Sequence, residues 1–194
     1  MMNRAVFIDK DGTLIKDVSH NVDTNLVEFE SSAFEALKLM QEHGYLLVVI
    51  TNQPGIAFEY FTERELEKVH DYLRRTLKQK DISLNGFYYC PHHVSAKLAK
   101  YAIPCECRKP APGLLFKAAA DMNIDLAGSW MIGDILNDME AGNRAGCKTI
   151  LINNGNETEW ELNKLREPHF VATNLLQAAQ MVVEEKSYKK DELV

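Results

Sequence analysis

Ala5-Val6-Phe7-Ile8-Asp9-Lys10-Asp11-Gly12-Thr13 is the stretch that decides the fold. Four consecutive apolar residues without polar alternation suit a strand buried on both faces of a parallel sheet. Asp9 ends the run, and Gly12 permits a sharp turn that carries the chain away from the sheet. Leu46-Leu47-Val48-Val49-Ile50 repeats the pattern and ends at Thr51-Asn52-Gln53, and Trp130-Met131-Ile132 repeats it again before Gly133-Asp134. Phe87-Tyr88-Tyr89 and Thr149 to Ile152 complete the predicted strands.

Helical spacing fills the intervals. Ala33, Ala36, Leu37 and Met40 fall at i, i+3, i+4, i+7, with Ser31 or Ser32 as N-cap and Gly44 as the stop. Thr62 and Glu65 form a capping-box signature ahead of Leu66, Val69, Leu73 and Leu77. Leu115, Ala118, Ala119 and Met122 share one helical face; another helix is predicted around Met139 to Ala145, and a last one from Asn174. Strand and helix alternate, which predicts an α/β fold: a three-layer αβα, Rossmann-like parallel sheet in one domain over 1–186, followed by a charged tail over 187–194. The segment Cys90 to Pro112, rich in Pro, Cys, His and Lys, is the one interruption, and no segment is long enough for a large cap domain.

With 46% hydrophobic and 26% charged residues over 194 positions, the composition is that of a folded globular chain. The net charge of -6 argues against a nucleic-acid binder that relies on phosphate neutralisation, while leaving room for a local cationic cluster that takes a small anion. No stretch is apolar for long enough to span a bilayer, and the N-terminus runs directly into the first strand without signal-peptide features. A cytoplasmic monomer is the expectation, with no membrane and no nucleic-acid partner.

Such sheets bind ligands beyond the carboxyl ends of their strands, where Asp9, Thr51 and Asp134 each terminate a different one. Asp9 and Asp11 put two carboxylates at one strand end, an arrangement also found in turns and calcium-like loops. A carboxylate can attack an anionic phosphate monoester only if a divalent cation and a lysine offset the repulsion. Asp134 completes an oxygen set suited to magnesium, and Lys109 supplies a fixed positive charge. Asp138 reads two ways, as part of the magnesium shell or as a first-turn carboxylate favoured by the helix dipole.

At these residues the chain resembles the haloacid-dehalogenase-like (HAD) superfamily. Asp9-Lys10-Asp11-Gly12-Thr13 is similar to its first motif, Thr51 to its second, Lys109 to its lysine motif, and Gly133-Asp134 to its acidic fourth motif. The resemblance implies a phosphatase for a small phosphorylated metabolite, with Asp9 as covalent nucleophile and Asp11 as acid/base. It implies that Mg2+ is held by Asp9, Asp134 and the main-chain carbonyl of Asp11. Thr51 and Lys109 would bind the phosphoryl oxygens.

Cys90-Pro91-His92 and Cys105-Glu106-Cys107, twelve residues apart, supply three thiols and one imidazole suited to tetrahedral Zn2+. Four protein ligands close the coordination sphere, so such a zinc is structural and would pin the loop over 90–108. Unliganded buried thiols are the alternative, and His93 competes with His92 as the fourth ligand. Cys147 lies outside the cluster, in a turn.

Within the superfamily, Cys-Pro-His and Cys-x-Cys-Arg-Lys-Pro resemble a small group of zinc-loop phosphatases acting on histidinol phosphate or on a heptose 1,7-bisphosphate. The Thr51 to Ala57 segment with Phe61-Thr62-Glu63, and Lys109-Pro110-x-Pro112-Gly113, look closer to the heptose branch. By that resemblance the substrate contacts fall on Asp17 through His20, on Thr51 through Pro54 with Thr51 and Asn52 foremost, and on Arg108 and Lys109. Phe58, Glu59 and Ile135 depart from the pattern.

Overall fold

The computed structural model describes residues 2–191, with side chains through 185. β1 (Arg4–Ile8), β2 (Tyr45–Asn52), β3 (Leu84–Cys90), β4 (Trp130–Gly133), β5 (Lys148–Ile152) and β6 (Phe170–Ala172) form one parallel sheet in the order β3-β2-β1-β4-β5-β6. The chain builds outward from β1 through β2 to β3. It then crosses back to lay β4 on the other side of β1. The order therefore reverses between β1 and β4, and a crevice opens beyond their carboxyl ends.

Alternation along the strands sorts the core into two halves, because successive side chains point to opposite faces. Val6, Ile8, Leu47 and Val49 face one layer, made of α1 (Ala33–Glu42), α2 (Glu63–Lys78) and α5 (Leu175–Asp191), through Leu37, Met40, Leu73, Leu77, Ala178 and Val182. Ala5, Phe7, Val48 and Ile50 face the other, made of α3 (Gly113–Met122) and α4 (Leu136–Ala145), through Leu115, Ala118 and Ala141. This is the predicted three-layer arrangement. Gly142 lets α4 lie hard against the sheet, since a Cβ there would stand 2.6 Å from Thr149 Cγ2.

Local chemistry explains the helix ends. Thr62 N–H donates to Glu65 Oε2 at 2.8 Å while Glu65 N–H donates to Thr62 Oγ1 at 3.3 Å, the expected reciprocal cap of α2. Ser32 is the N-cap residue of α1, but its hydroxyl accepts from Leu176 N–H of α5 at 3.4 Å instead of capping its own helix. Asn174 takes the cap of α5, accepting from Gln177 N–H at 2.9 Å.

Three elements depart from expectation. β6 was not predicted: it has three residues, two of them exposed, and so carries neither a buried run nor a clean alternation. α4 begins at Leu136, three residues before the predicted Met139, because the start lies in a polar Asn-Asp stretch without apolar period. α5 carries its helical backbone to Asp191, into the segment expected as a charged tail, of which 192–194 lie outside the described residues. Among the described residues no helix is long and apolar enough to cross a membrane.

Leu73 is fully buried in the larger core half. Leu73→Ala should cost about 2–5 kcal/mol, read as a lower urea midpoint with an unchanged denaturant slope.

Candidate active site

The reversal point brings the first and fourth strand ends together. Asp9 continues β1 by donating its N–H to Ile132 O at 3.0 Å, and the chain then folds back as Leu14 and Ile15 both donate to Lys10 O, at 3.1 and 3.0 Å. Gly12 sits in the left-handed region at φ +81°, and a Cβ there would stand 2.1 Å from Asp134 Oδ2. Glycine is thus required twice, for conformation and for clearance. Thr13 Oγ1 donates to Asp134 Oδ1 at 3.1 Å, so the first turn fixes the carboxylate of the fourth strand end.

Asp9, Asp134 and Asp138 gather carboxylate oxygens within 4.8 Å of one another, all buried. Lys109 enters from the loop after β3, 2% exposed, with its ammonium donating to Asp9 Oδ1 and to Ile50 O and lying 2.5 Å from Asp138 Oδ1. Three buried carboxylates face one ammonium. Burial, then the Asp138 and Asp11 charges, outweigh Lys109 and raise the Asp9 carboxyl to about 7. Burial and the Asp9 charge raise Asp134 to about 6. Burial alone would lower Lys109, but the Asp138 and Asp9 charges win and hold it protonated. A divalent cation is the group that this uncompensated negative charge fits. Asp9 and Asp134 are placed to hold it, whereas Asp138 is turned to Lys109.

Asp138 thereby has a definite place: its Oδ2 also accepts from Ile135 N–H at 3.4 Å, closing the first turn of α4. A Cβ at Gly133 would stand 2.2 Å from that oxygen, so the Gly-Asp pair at the end of β4 makes its room.

Asp11 stands at the mouth, with its side chain 31% exposed. Lys10 Nζ is 3.1 Å from Asp11 Oδ1, and Gln53 Nε2 donates at 2.9 Å both to Asp11 Oδ2 and to Thr51 Oγ1. Asn52 bonds the backbone of Lys109. Its amide accepts from Lys109 N–H and donates to Lys109 O, both at 3.0 Å, a two-point clamp on the lysine backbone. The side chain that the resemblance places among the substrate contacts thus also holds the Lys109 backbone.

Cys90, His92, Cys105 and Cys107 form a second compact group. Cys90 and Cys107 Sγ are 2.7 Å apart, Cys105 Sγ lies 3.6 and 3.4 Å from them, and His92 Nδ1 is 3.2 Å from Cys107 Sγ. The edges of a zinc tetrahedron are about 3.8 Å for Zn–S bonds of about 2.3 Å, so the two Cys105 edges come close to that length while the Cys90–Cys107 edge is about 1 Å shorter. The hydrogen bond between Cys107 and Cys90 lowers the Cys107 thiol to about 5 and raises that of Cys90, a direction that favours a soft cation at Cys107. His93 points elsewhere: its ring lies 5.0 Å from Phe58 and its Nδ1 accepts from Ser95 N–H. Cys147 is buried, apart from the group. Arg108, half-buried, reaches back to His92 O at 3.5 Å.

Asp17 and His20 lie on the exposed loop beyond the first turn. Partial loss of solvent, then the Asp11 charge, raise the Asp17 carboxyl. His20 takes φ +54° and sets its ring 4.6 Å from Tyr60, across the mouth loop.

The sequence reading missed the loop after β5. Asn156 Nδ2 donates to Asp134 Oδ2 at 2.7 Å, Asn154 Nδ2 donates to Gly12 O at 2.8 Å, and Glu157 Oε2 accepts Leu136 N–H at 2.6 Å. The signal was available. Asn153-Asn154-Gly155-Asn156 follows the carboxyl end of a buried strand, the rule already applied to Asp9, Thr51 and Asp134.

Comparison with known proteins adds to this geometry. The HAD-hydrolase-like family model matches residues 106–178. The D-glycero-beta-D-manno-heptose-1,7-bisphosphate 7-phosphatase of Salmonella typhi is 37% identical over 84% of this chain and 92% of its own length. That of Pasteurella multocida is 41% identical over 79% and 84%. Among solved structures, the D,D-heptose 1,7-bisphosphate phosphatase of B. bronchiseptica, complexed with magnesium and phosphate, aligns with a TM-score of 0.80 and 28% identity. It covers 94% of this chain and 99% of that one.

If Asn52 positions Lys109, then Asn52→Ala should lose about 1–3 kcal/mol of stability by leaving buried backbone groups of the lysine unpaired, measured by urea unfolding.

Proposed function

Because the chain belongs to the HAD-like hydrolases and is a phosphatase, we propose that it removes the 7-phosphate of D-glycero-β-D-manno-heptose 1,7-bisphosphate through an aspartyl-phosphate on Asp9. The observation that carries the chemistry is the buried Asp9-Lys109-Asp134 group at the sheet reversal, with the partly exposed Asp11 beside it. The substrate follows from the relatives named for it and from the loops that resemble theirs.

Asp9 attacks phosphorus in line with the leaving oxygen. As the P–O bond to the sugar breaks, Asp11 gives its proton to the departing alkoxide. Asp11 then takes a proton from water, whose oxygen attacks the phosphorus of the aspartyl-phosphate, releasing phosphate and restoring the Asp9 carboxylate. Thr51 and Lys109 hold the phosphoryl oxygens throughout. Asn52, through its clamp, keeps Lys109 aimed at Asp9. Arg108 and the Asp17-His20 loop contact the rest of the sugar; a planar guanidinium suits the second phosphate or adjacent hydroxyls.

Mg2+, held by Asp9, Asp134 and the main-chain carbonyl of Asp11, supplies the positive charge that lets two anions approach. Zn2+ on Cys90, His92, Cys105 and Cys107 is structural: Cys107 precedes Lys109 by two residues, so a closed metal site there fixes where the lysine enters.

Three measurements test this. Asp9→Asn should fold and retain zinc while losing at least about 10³-fold in turnover; a variant that still turns over removes the covalent step. Assayed side by side, the heptose bisphosphate should exceed histidinol phosphate by at least about 10²-fold in kcat/KM, and the reverse order would reassign the substrate. Metal analysis should find zinc bound to the purified chain, and stripping it with a chelator should lower the melting temperature; an unchanged melting curve argues against a structural site.

A further inference from the structure

Lys10 and Gln53 take no part in the steps assigned to Asp9, Asp11, Thr51 and Lys109, yet both are buried against them. Lys10 is 1% exposed, and burying an ammonium costs several kcal/mol unless an anion meets it. The anion it meets is Asp11 Oδ1, at 3.1 Å. Gln53 is 5% exposed and holds the other oxygen, Asp11 Oδ2, at 2.9 Å. A carboxylate gripped at both oxygens from different sides cannot turn about its last torsion. Each oxygen keeps a further lone pair for the proton that it carries.

Gln53 does a second thing with the same amide. Its nitrogen also donates to Thr51 Oγ1 at 2.9 Å, which occupies the acceptor side of that hydroxyl and leaves its own hydrogen to point at a phosphoryl oxygen. One amide thus registers the acid at the mouth to the phosphate-binding hydroxyl at the end of β2.

We propose that Lys10 and Gln53 are positioning residues that hold Asp11 in the orientation needed to protonate the leaving alkoxide, with Gln53 also orienting the Thr51 hydroxyl as a donor. The inference rests on Asp11 being the acid/base. Its expected size follows from geometry: an acid must lie within hydrogen-bond reach of the leaving oxygen, and a displacement near 1 Å can cost about 10²-fold.

The test separates proton delivery from everything else by its dependence on leaving group. kcat/KM covers the steps through departure of the leaving group; a sugar alkoxide needs a proton there, whereas the nitrophenolate of p-nitrophenyl phosphate does not. The readout is the ratio of kcat/KM for heptose bisphosphate to that for p-nitrophenyl phosphate, measured on the metal-loaded enzyme. Losses in folding, magnesium or phosphate binding fall on both substrates and cancel. Lys10→Met and Gln53→Leu should each lower the ratio by about 10- to 10²-fold, and Lys10→Arg should return it to within about threefold of the unsubstituted enzyme. An unchanged ratio in the folded variants overturns the proposal; should Lys10→Met not fold, Gln53→Leu decides by the same ratio. Asp11→Asn is the reference. If its ratio is unchanged, the acid/base reading of Asp11 itself fails, whereas a lowered ratio there beside unchanged ratios at Lys10 and Gln53 sinks the positioning role alone.

Discussion

Three carboxylates share a buried space with one ammonium, and the rest of the molecule is arranged around that imbalance. Even with Lys109 beside them, burial raises the Asp9 carboxyl to about 7, and burial with the Asp9 charge raises Asp134 to about 6. A protonated Asp9 is no nucleophile. Burial therefore favours a proton on Asp9 even with Lys109 in place, and a divalent cation would shift that balance toward the carboxylate. The fold supplies the burial, because the reversal of strand order between β1 and β4 puts two acidic strand ends side by side.

The positive partner comes from a part of the chain with no regular structure, and it is held from two directions. The Asn52 amide grips the backbone of Lys109 from the end of β2, while the Cys-His group lies two residues upstream. An irregular loop is a poor support for a group that must sit within tenths of an ångström. A side-chain clamp on one side and the packed Cys-His group on the other stand in for the ladder hydrogen bonds that a strand would have provided.

Much of this was legible in the sequence, and the boundary of legibility has a physical cause. Apolar runs such as Ala5 to Ile8 and Leu46 to Ile50 announce doubly buried strands, and helix periods at Leu66 to Leu77 announce a face. The residues at the ends of such runs could then be placed at one edge of the sheet. β6 escaped because a three-residue edge strand with two exposed side chains carries no pattern. Lys10, Asn154 and Asn156 escaped for another reason, as did the bond from Gln53 to Asp11. They act through hydrogen bonds across the site, and nothing in the linear order distinguishes a buried amide with two partners from a solvated one. Asn52 shows the same limit: the resemblance places it among the substrate contacts, and its bond to the backbone of a residue 57 positions away could not be read from the linear order.

The Cys-His knot has a consequence for how this chain can change over generations. Its members stand at the two ends of the loop, Cys90 and His92 at one and Cys105 and Cys107 at the other, and their close packing gathers the base of the intervening residues 93–104. Substitutions within that stretch, including around His93 beside Phe58, can reshape the mouth without moving Lys109. The knot divides the loop into a part free to drift and a part that cannot, and so allows substrate preference to diverge while the chemistry beneath it is inherited intact.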